Sequence, residues 1–288
     1  MSEFQNSSLS AANRPGAGAV AEFAREVRKH FRLFGAFMRS CLQSQLEYRA
    51  NFLTGIAMEG GYLLVKLMYA LVVFRAGVSI NGLSPDEILL FIGTFIFMTG
   101  IYAGLVMMNL FDLRGIIRDG ALDLYITKPV SLQFMITLRR SDLGLLAVDM
   151  IAGLVLIVMG LVRLGTDVNL WRLFGFTGYM IGCGMVAYAI FVIPVLASFW
   201  FVGSNIAGAI DPLWDFNSMP MGIYGRAVQN IGVYLIPIFV ITNFPAMYLL
   251  DRMSPWMTAW GVVCPILLLC LTRWVFKKAI RKYNSASS

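Results

Sequence analysis

Histidine is almost missing from this chain: His30 is the single one in 288 residues. A zinc centre or a histidine general base needs imidazole beside acids or thiols at ligand spacing. His30 instead sits in a basic stretch, on what reads as a solvated helix face. Cysteine is sparse too, four residues with no CxxC pair, which removes redox and zinc chemistry and leaves buried free thiols as the expectation. GxSxG and HExxH are both absent, so neither a nucleophile elbow nor a zincin helix is encoded. No GxxxxGK[ST] phosphate cradle occurs; the nearest run, 203–208, continues with Ala209 where the lysine would stand. The chain therefore has no means of hydrolysing ATP by itself. Residues 1–20 are small and polar, without the apolar core of a cleavable signal peptide, and read as a disordered tail. Charge is scarce as well, at 14% of residues.

What fills the chain is apolar sequence: 58% hydrophobic residues and a mean hydropathy of +0.73. Crossing a bilayer takes roughly 20 apolar residues as a helix. The runs 51–74, 86–111, 143–162 and 173–202 each meet that length, and 230–250 and 255–276 meet it with prolines inside. The fold class expected is all-α integral membrane, with six transmembrane helices behind an N-terminal amphipathic helix. The expected divisions are a tail at 1–20, an interfacial helix at 21–50, a transmembrane domain at 51–278 and a second tail at 279–288.

Lys and Arg mark the cytoplasmic side of a membrane protein. They collect in 14–49, in 114–140, at Arg226 and in 273–282, whereas the other connections hold only Arg75, Arg163, Arg172 and Arg252. An even number of spans with both termini in the cytoplasm satisfies that bias. The net charge of +7 then reflects topology and anionic lipid, and no nucleic-acid partner is expected. Within 21–50, Phe23, Val27, Phe31, Phe34, Phe37, Met38, Cys41, Leu42 and Leu46 recur at helical spacing opposite a basic face. This is the pattern of a helix lying in the headgroup plane, the alternative being a soluble helix packed on a partner.

Two connections on the expected inner side are large. The first, 112–142, alternates Ile116, Ile117, Leu122, Leu124, Ile126 and Leu132 with charges around Gly120 and Pro129, and is suited to presenting a short helix to a soluble partner. The second, 203–229, is rich in Gly, Asn, Asp and Pro, carries Trp214 and Tyr224, and reads as a broken interfacial segment. Its Asp211 and Asp215, one turn apart, are spaced to bind a cation, but two carboxylates beside Pro212 and Trp214 more often simply solvate a turn.

Ionisable groups inside spans are costly unless they face protein or water, which singles out Glu59, Lys66 and Asp149. Glu59 and Lys66 are two turns apart, about 10 Å along a helix axis, and are expected to be too distant for a direct ion pair. A substrate path, a subunit contact and simple bundle packing are all open for the three. Gly100 with Gly104, and Gly178 with Gly182, make GxxxG pairs whose commonest use is packing within one chain. Pro194, Pro237 and Pro245 are expected kinks, with the fifth span stopping near Asn243 and re-entering through Pro245 to Leu250.

The inner loop also carries a signature: Gly120, Leu122, Asp123, Ile126, Lys128 and Pro129 fit G-x-L-D-x-x-[LI]-x-[KR]-P. Together with LEYRANFL at Leu46 to Leu53, MPMGIYG at Met219 to Gly225 and IPIFVITNFPAMYLL at Ile236 to Leu250, the chain resembles the permease subunits of ABC-2 type transporters, in their six-span branch. The likeness runs from about Leu46 to Phe276. It implies an exporter made of two permeases, alike or closely related, and a separate pair of ATP-binding subunits that hold ATP and Mg, with no cofactor on this chain. It also implies a coupling helix in the loop after the second span, near the amphipathic N-terminal helix. The residues expected at that contact are Arg114, Arg118, Asp119, Gly120, Leu122, Asp123, Leu124, Lys128 and Pro129, with Leu122 and Leu124 as its apolar face. The implied setting is the plasma (inner) membrane of a prokaryote, and apolar walls favour an amphipathic or lipid-like cargo. An intramembrane enzyme or a passive channel or scaffold without an ATPase is the competing class, and a Walker A reading frame beside the gene would separate the two.

Overall fold

The computed structural model describes residues 15–76, 82–128, 130–166, 169–201 and 208–283. Most of the expected N-terminal tail, Pro129 and the last five residues lie outside the described residues. The described chain is helical throughout: α1 Pro15–Glu47, α2 Arg49–Ala76, α3 Pro85–Tyr102, α4 Met108–Arg118, α5 Asp123–Ile126, α6 Leu132–Leu138, α7 Leu143–Leu164, α8 Leu170–Leu196, α9 Arg226–Asn230, α10 Val240–Leu249 and α11 Pro255–Lys282. Helix α1 thus starts inside the stretch expected to be a tail.

Helix starts follow local chemistry. Ser84 and Glu87 close a reciprocal capping box ahead of Pro85, with the Ser84 N–H donating to Glu87 Oε2 at 2.7 Å. Asp142, Asn169 and Ser254 each accept a backbone N–H at the heads of α7, α8 and α11. Gly165, with φ at 60°, ends α7 in the left-handed conformation.

Helices α3 and α4 form one 34-residue rod, Pro85–Arg118, joined by a π-helical turn at Ala103–Met107. The inner connection therefore begins at Asp119, not at Asp112, because buried Leu110, Leu113 and Ile117 continue the helical stripe past the last uncharged turn. Such a turn loosens the regular ladder. At this one the Gly104 carbonyl accepts from the Asp142 N–H at 2.8 Å. Asn109 straps the same strand of chain down, accepting from the Arg140 N–H (2.8 Å) and donating to the Arg140 carbonyl (2.6 Å).

Among the described residues, four helices are long and apolar enough to cross a membrane: Pro85–Arg118, Leu143–Leu164, Leu170–Phe199 and Pro255–Lys282. A fifth candidate, Arg226–Leu235 with Val240–Leu249, is bent by 101°. The bend falls at Ile236–Phe239, earlier than expected, and Pro245 lies within α10. Pro237 has no N–H to continue a helix. Phe239 then folds back so that its N–H donates to the Gly232 carbonyl, and its ring occupies the place a Gly232 Cβ would need, 2.3 Å away. Helix α2 has 28 residues, enough length to span, but is not among the four.

The α3–α7 pair meets through glycine. A Cβ on Gly153 would lie 2.5 Å from the Phe97 backbone nitrogen, and one on Gly93 2.7 Å from that of Ile157. Gly100 and Gly104 belong to this seam, facing Asp149 and Leu146, whereas Gly182 touches Pro265 and Gly178 meets nothing within 4 Å. A second core joins α4, α8, α10 and α11 around Phe239, Phe244 and Leu196.

The second connection is not a loop confined to one end. Asp211 meets Arg114, Trp214 stacks on Tyr102 (4.3 Å, 17°) and bonds Thr99, Thr242 donates to Asn217, and Asn243 accepts from the Met221 N–H at 2.7 Å. Pro220 to Gly222 share a small cavity with Leu83 and Arg252. The chain from 208 to 225 thus climbs the bundle in short 3-10 turns, and Arg226 follows at the far end of that climb rather than on the inner side. At that far end Arg252 pairs with Glu87 at 2.7 Å, Arg163 lies 3.8 Å from Asp86 and Arg172 pairs with Asp251. Three of the four arginines counted against the charge bias are neutralised there.

Candidate functional site

The signature residues form a clamped turn. Helix α4 ends on Gly120, whose φ of 69° is left-handed, and the turn closes with Ala121 N–H to Ile116 C=O (3.0 Å) and Gly120 N–H to Ile117 C=O (3.4 Å). Glycine is favoured there because a Cβ is strained at positive φ. The freed Gly120 carbonyl accepts from the Tyr283 hydroxyl at 2.8 Å, just past α11. Burial, and next the negative charge of Asp123, push the Tyr283 phenol above its usual value, so the donor proton is retained.

Leu122 and Leu124 do not share a face. Leu122 is fully buried in the core, whereas Leu124 is 69% exposed, with Ile126 exposed beside it. The apolar face available to a partner is therefore Leu124 and Ile126, framed by exposed Arg118, Asp119 and Lys128. Arg118 and Asp119 pair with each other at 2.9 Å. Arg114 turns away from this surface: it lies 3.2 Å from Asp211 and over the Phe111 ring, so it ties the end of α4 to the start of the climb. Asp123 opens α5, and Pro129 lies outside the described residues.

Helix α1 packs beside this turn. Phe134 on α6 stacks on Phe37 and meets the His30 ring edge-on at 5.0 Å; Gln45 donates to the Ser141 carbonyl, and Cys41 approaches that of Arg139. The Arg139 guanidinium in turn covers Tyr125 of α5. Val27, Phe31, Leu42 and Leu46 of the expected stripe are left open, Phe31 being 73% exposed, whereas Phe34, Phe37, Met38 and Cys41 are half-buried. Among the cysteines, Cys183 and Cys264 are buried and Cys41 half-buried, but Cys270 is exposed, contrary to the expectation for it.

The intramembrane charges converge. Lys66 Nζ lies 3.8 Å from Glu59 Oε1 and 3.6 Å from Asp149 Oδ2, so the expectation that Glu59 and Lys66 are too far apart to pair is corrected. The long lysine stem covers the two turns between them. Asp149 is completely buried, and the Phe95 ring of α3 flanks the ammonium. Composition alone could not foresee Asp211, Tyr283, Phe134 and Asn109 as partners. The hint for Tyr283, Phe134 and Asn109 was a polar or aromatic residue in an otherwise apolar or basic stretch, whereas Asp211 stands among other polar residues and gave none.

No curated protein and no solved structure matches the chain. One family, described as ABC-2 family transporter protein, matches residues 61–287, from the middle of α2 to beyond α11, and so takes in the clamped turn and every long apolar helix. A match of that extent settles the kinship: this multi-pass membrane protein belongs to the ABC-2 family of transporters.

Proposed function

We propose that the chain is the permease subunit of an ATP-driven exporter, moving an amphipathic or lipid-like cargo on energy supplied by ATP-binding subunits on separate polypeptides. Family membership supports the permease, and the clamped turn supports its coupling element: two apolar side chains, Leu124 and Ile126, stand out from a base locked by buried Leu122 and by Tyr283. A contact that transmits force needs this pairing of an open face with a fixed root. In this reading α2 is the first span, the climb from 208 to 250 with its bent helix pair is the fifth, and six crossings put both termini in the cytoplasm of a prokaryotic inner membrane. Helix α1 lies along the interface beside the coupling turn. Two such permeases, identical or closely related, assemble with a pair of ATPases carrying ATP and Mg.

The test is affinity purification of the tagged chain from its native membrane. We expect a Walker A protein to co-purify and to hydrolyse ATP. Changing Leu124 and Ile126 together to Asp puts charge into the contact and should abolish co-purification, while yield and melting temperature of the permease stay as in the parent. Failure of any ATPase to co-purify would overturn the function. Retention of the ATPase by the double variant would overturn this turn as its docking site.

A further inference from the structure

We propose that Glu59, Lys66 and Asp149 form a proton-binding site within the membrane domain, in which the two carboxyl groups hold one proton between them and Lys66 balances the charge that remains. The inference does not rest on the exporter reading; it rests on how the charges are arranged.

If all three groups were ionised, the cluster would carry a net charge of −1 at bilayer depth. Burying uncompensated charge in low dielectric is expensive, and carboxyl groups avoid that cost by keeping a proton. Asp149 has no other relief. Its residue is 0% exposed, neither carboxylate oxygen accepts a hydrogen bond within normal distance, and the Lys66 ammonium stands 3.6 Å away. The same ammonium is 3.8 Å from Glu59, so one cation serves two acids.

Among the described residues, the elements packed on the cluster bring no further charge to it. Helix α3 presents Gly100, where a Cβ would be 2.8 Å from that of Asp149, and the Phe95 ring beside Lys66. The acids of α3, Asp86 and Glu87, sit at its far end, facing Arg163 and Arg252. On α7 the neighbouring acid, Asp142, is two turns away and caps the Leu145 N–H. On α2 the cluster is Glu59 and Lys66 themselves, with Arg49 and Arg75 at the helix ends. Among the described residues, Lys66 is the cation within 4 Å of both acids.

The ligand is a proton, not a metal ion, for two reasons. Among the described residues no group of three His, Cys, Asp or Glu is placed to hold a metal. The ammonium within 4 Å of both acids would repel a second cation, whereas a proton resides on a single oxygen. Proton loss would charge the α2–α7 contact, so the seat of α2 on the bundle depends on pH.

The sign follows from linkage. A proton held more tightly in the folded protein than in the unfolded chain contributes stability that is complete in acid and is lost as pH rises through the titration of the site. Melting temperatures of the purified protein in lipid nanodiscs should therefore fall as the pH is raised from acid to mildly alkaline. Either Glu59→Gln or Asp149→Asn leaves one carboxylate with one ammonium, and each should remove that fall. The double amide variant strands Lys66 and should melt below both single variants at neutral pH, recovering as pH rises. Infrared spectra of the parent should show the carbonyl stretch of a protonated carboxyl, absent from both single variants. Retention of the parental fall by both single variants, or absence of that band from the parent, would overturn the proposal. So would stabilisation of the parent, but not of the variants, by sodium or potassium at fixed pH, which would make the ligand a metal cation.

Discussion

Leu122 and Leu124 stand two positions apart and point opposite ways, one into the core and one into the open. Truncating the first creates a cavity; truncating the second removes only surface. Leu122→Ala should cost about 2–5 kcal/mol of stability, and Leu124→Ala should stay within about 0.5 kcal/mol, read as melting temperatures of the two purified variants. Similar shifts for both would mean that the turn is not rooted by Leu122. At this scale the sequence was legible in kind but not in direction. The apolar residues of the loop announced themselves, yet alternation with charges cannot say which of two leucines is swallowed when the turn is set by a left-handed Gly120 and by a tyrosine 163 positions later. Glu59 and Lys66 misled for a similar reason, since axial spacing ignores the reach of a lysine side chain.

Among elements, the α3–α7 pair is set by what its glycines lack. Gly153→Ala must push Phe97 and Gly93 backbone atoms that already lie 2.5–2.7 Å from the added carbon. Backbone cannot rotate aside as a side chain does, so the helices separate, at about 1–3 kcal/mol. Gly184→Ala on α8 meets nothing within 4 Å and should be neutral or stabilising by up to about 1 kcal/mol. Thermal melts of the two variants should therefore move in opposite directions, or only the first should move. Equal shifts would remove the seam as an explanation of the packing. The GxxxG spacing caught Gly100 and Gly104 but missed Gly93, Gly153 and Gly160, whose spacing of seven keeps one helix face without making the motif. The far longer α1 stripe was legible as amphipathic from its period, while its contact with Phe134 depends on a distant loop and left no local mark.

At the scale of the molecule, hydropathy located the four apolar rods and the bent helix pair, and gave no sign of how the segment before that pair is packed. Residues 208–225 looked like a loop because they are polar. Part of their polarity is paired internally, Asp211 with Arg114, the Asn217 Oδ1 with Thr242 and the Met221 N–H with Asn243, and pairing of that kind is invisible to a sliding window. Six crossings predict that reporters fused to the N- and C-termini both read cytoplasmic, with protease protection of neither, and opposite locations would break the topology. One feature of the clamped turn has a mechanical meaning. The 2.8 Å bond from Tyr283 to Gly120 and the 3.2 Å contact of Arg114 with Asp211 take up the slack at both sides of the rod's end. A load pressed on Leu124 thus arrives together at α4, at the foot of α11 and at the climb of 3-10 turns. The first two are stiff girders; the third, built of short turns, is the compliant member, and it is there that the deflection collects.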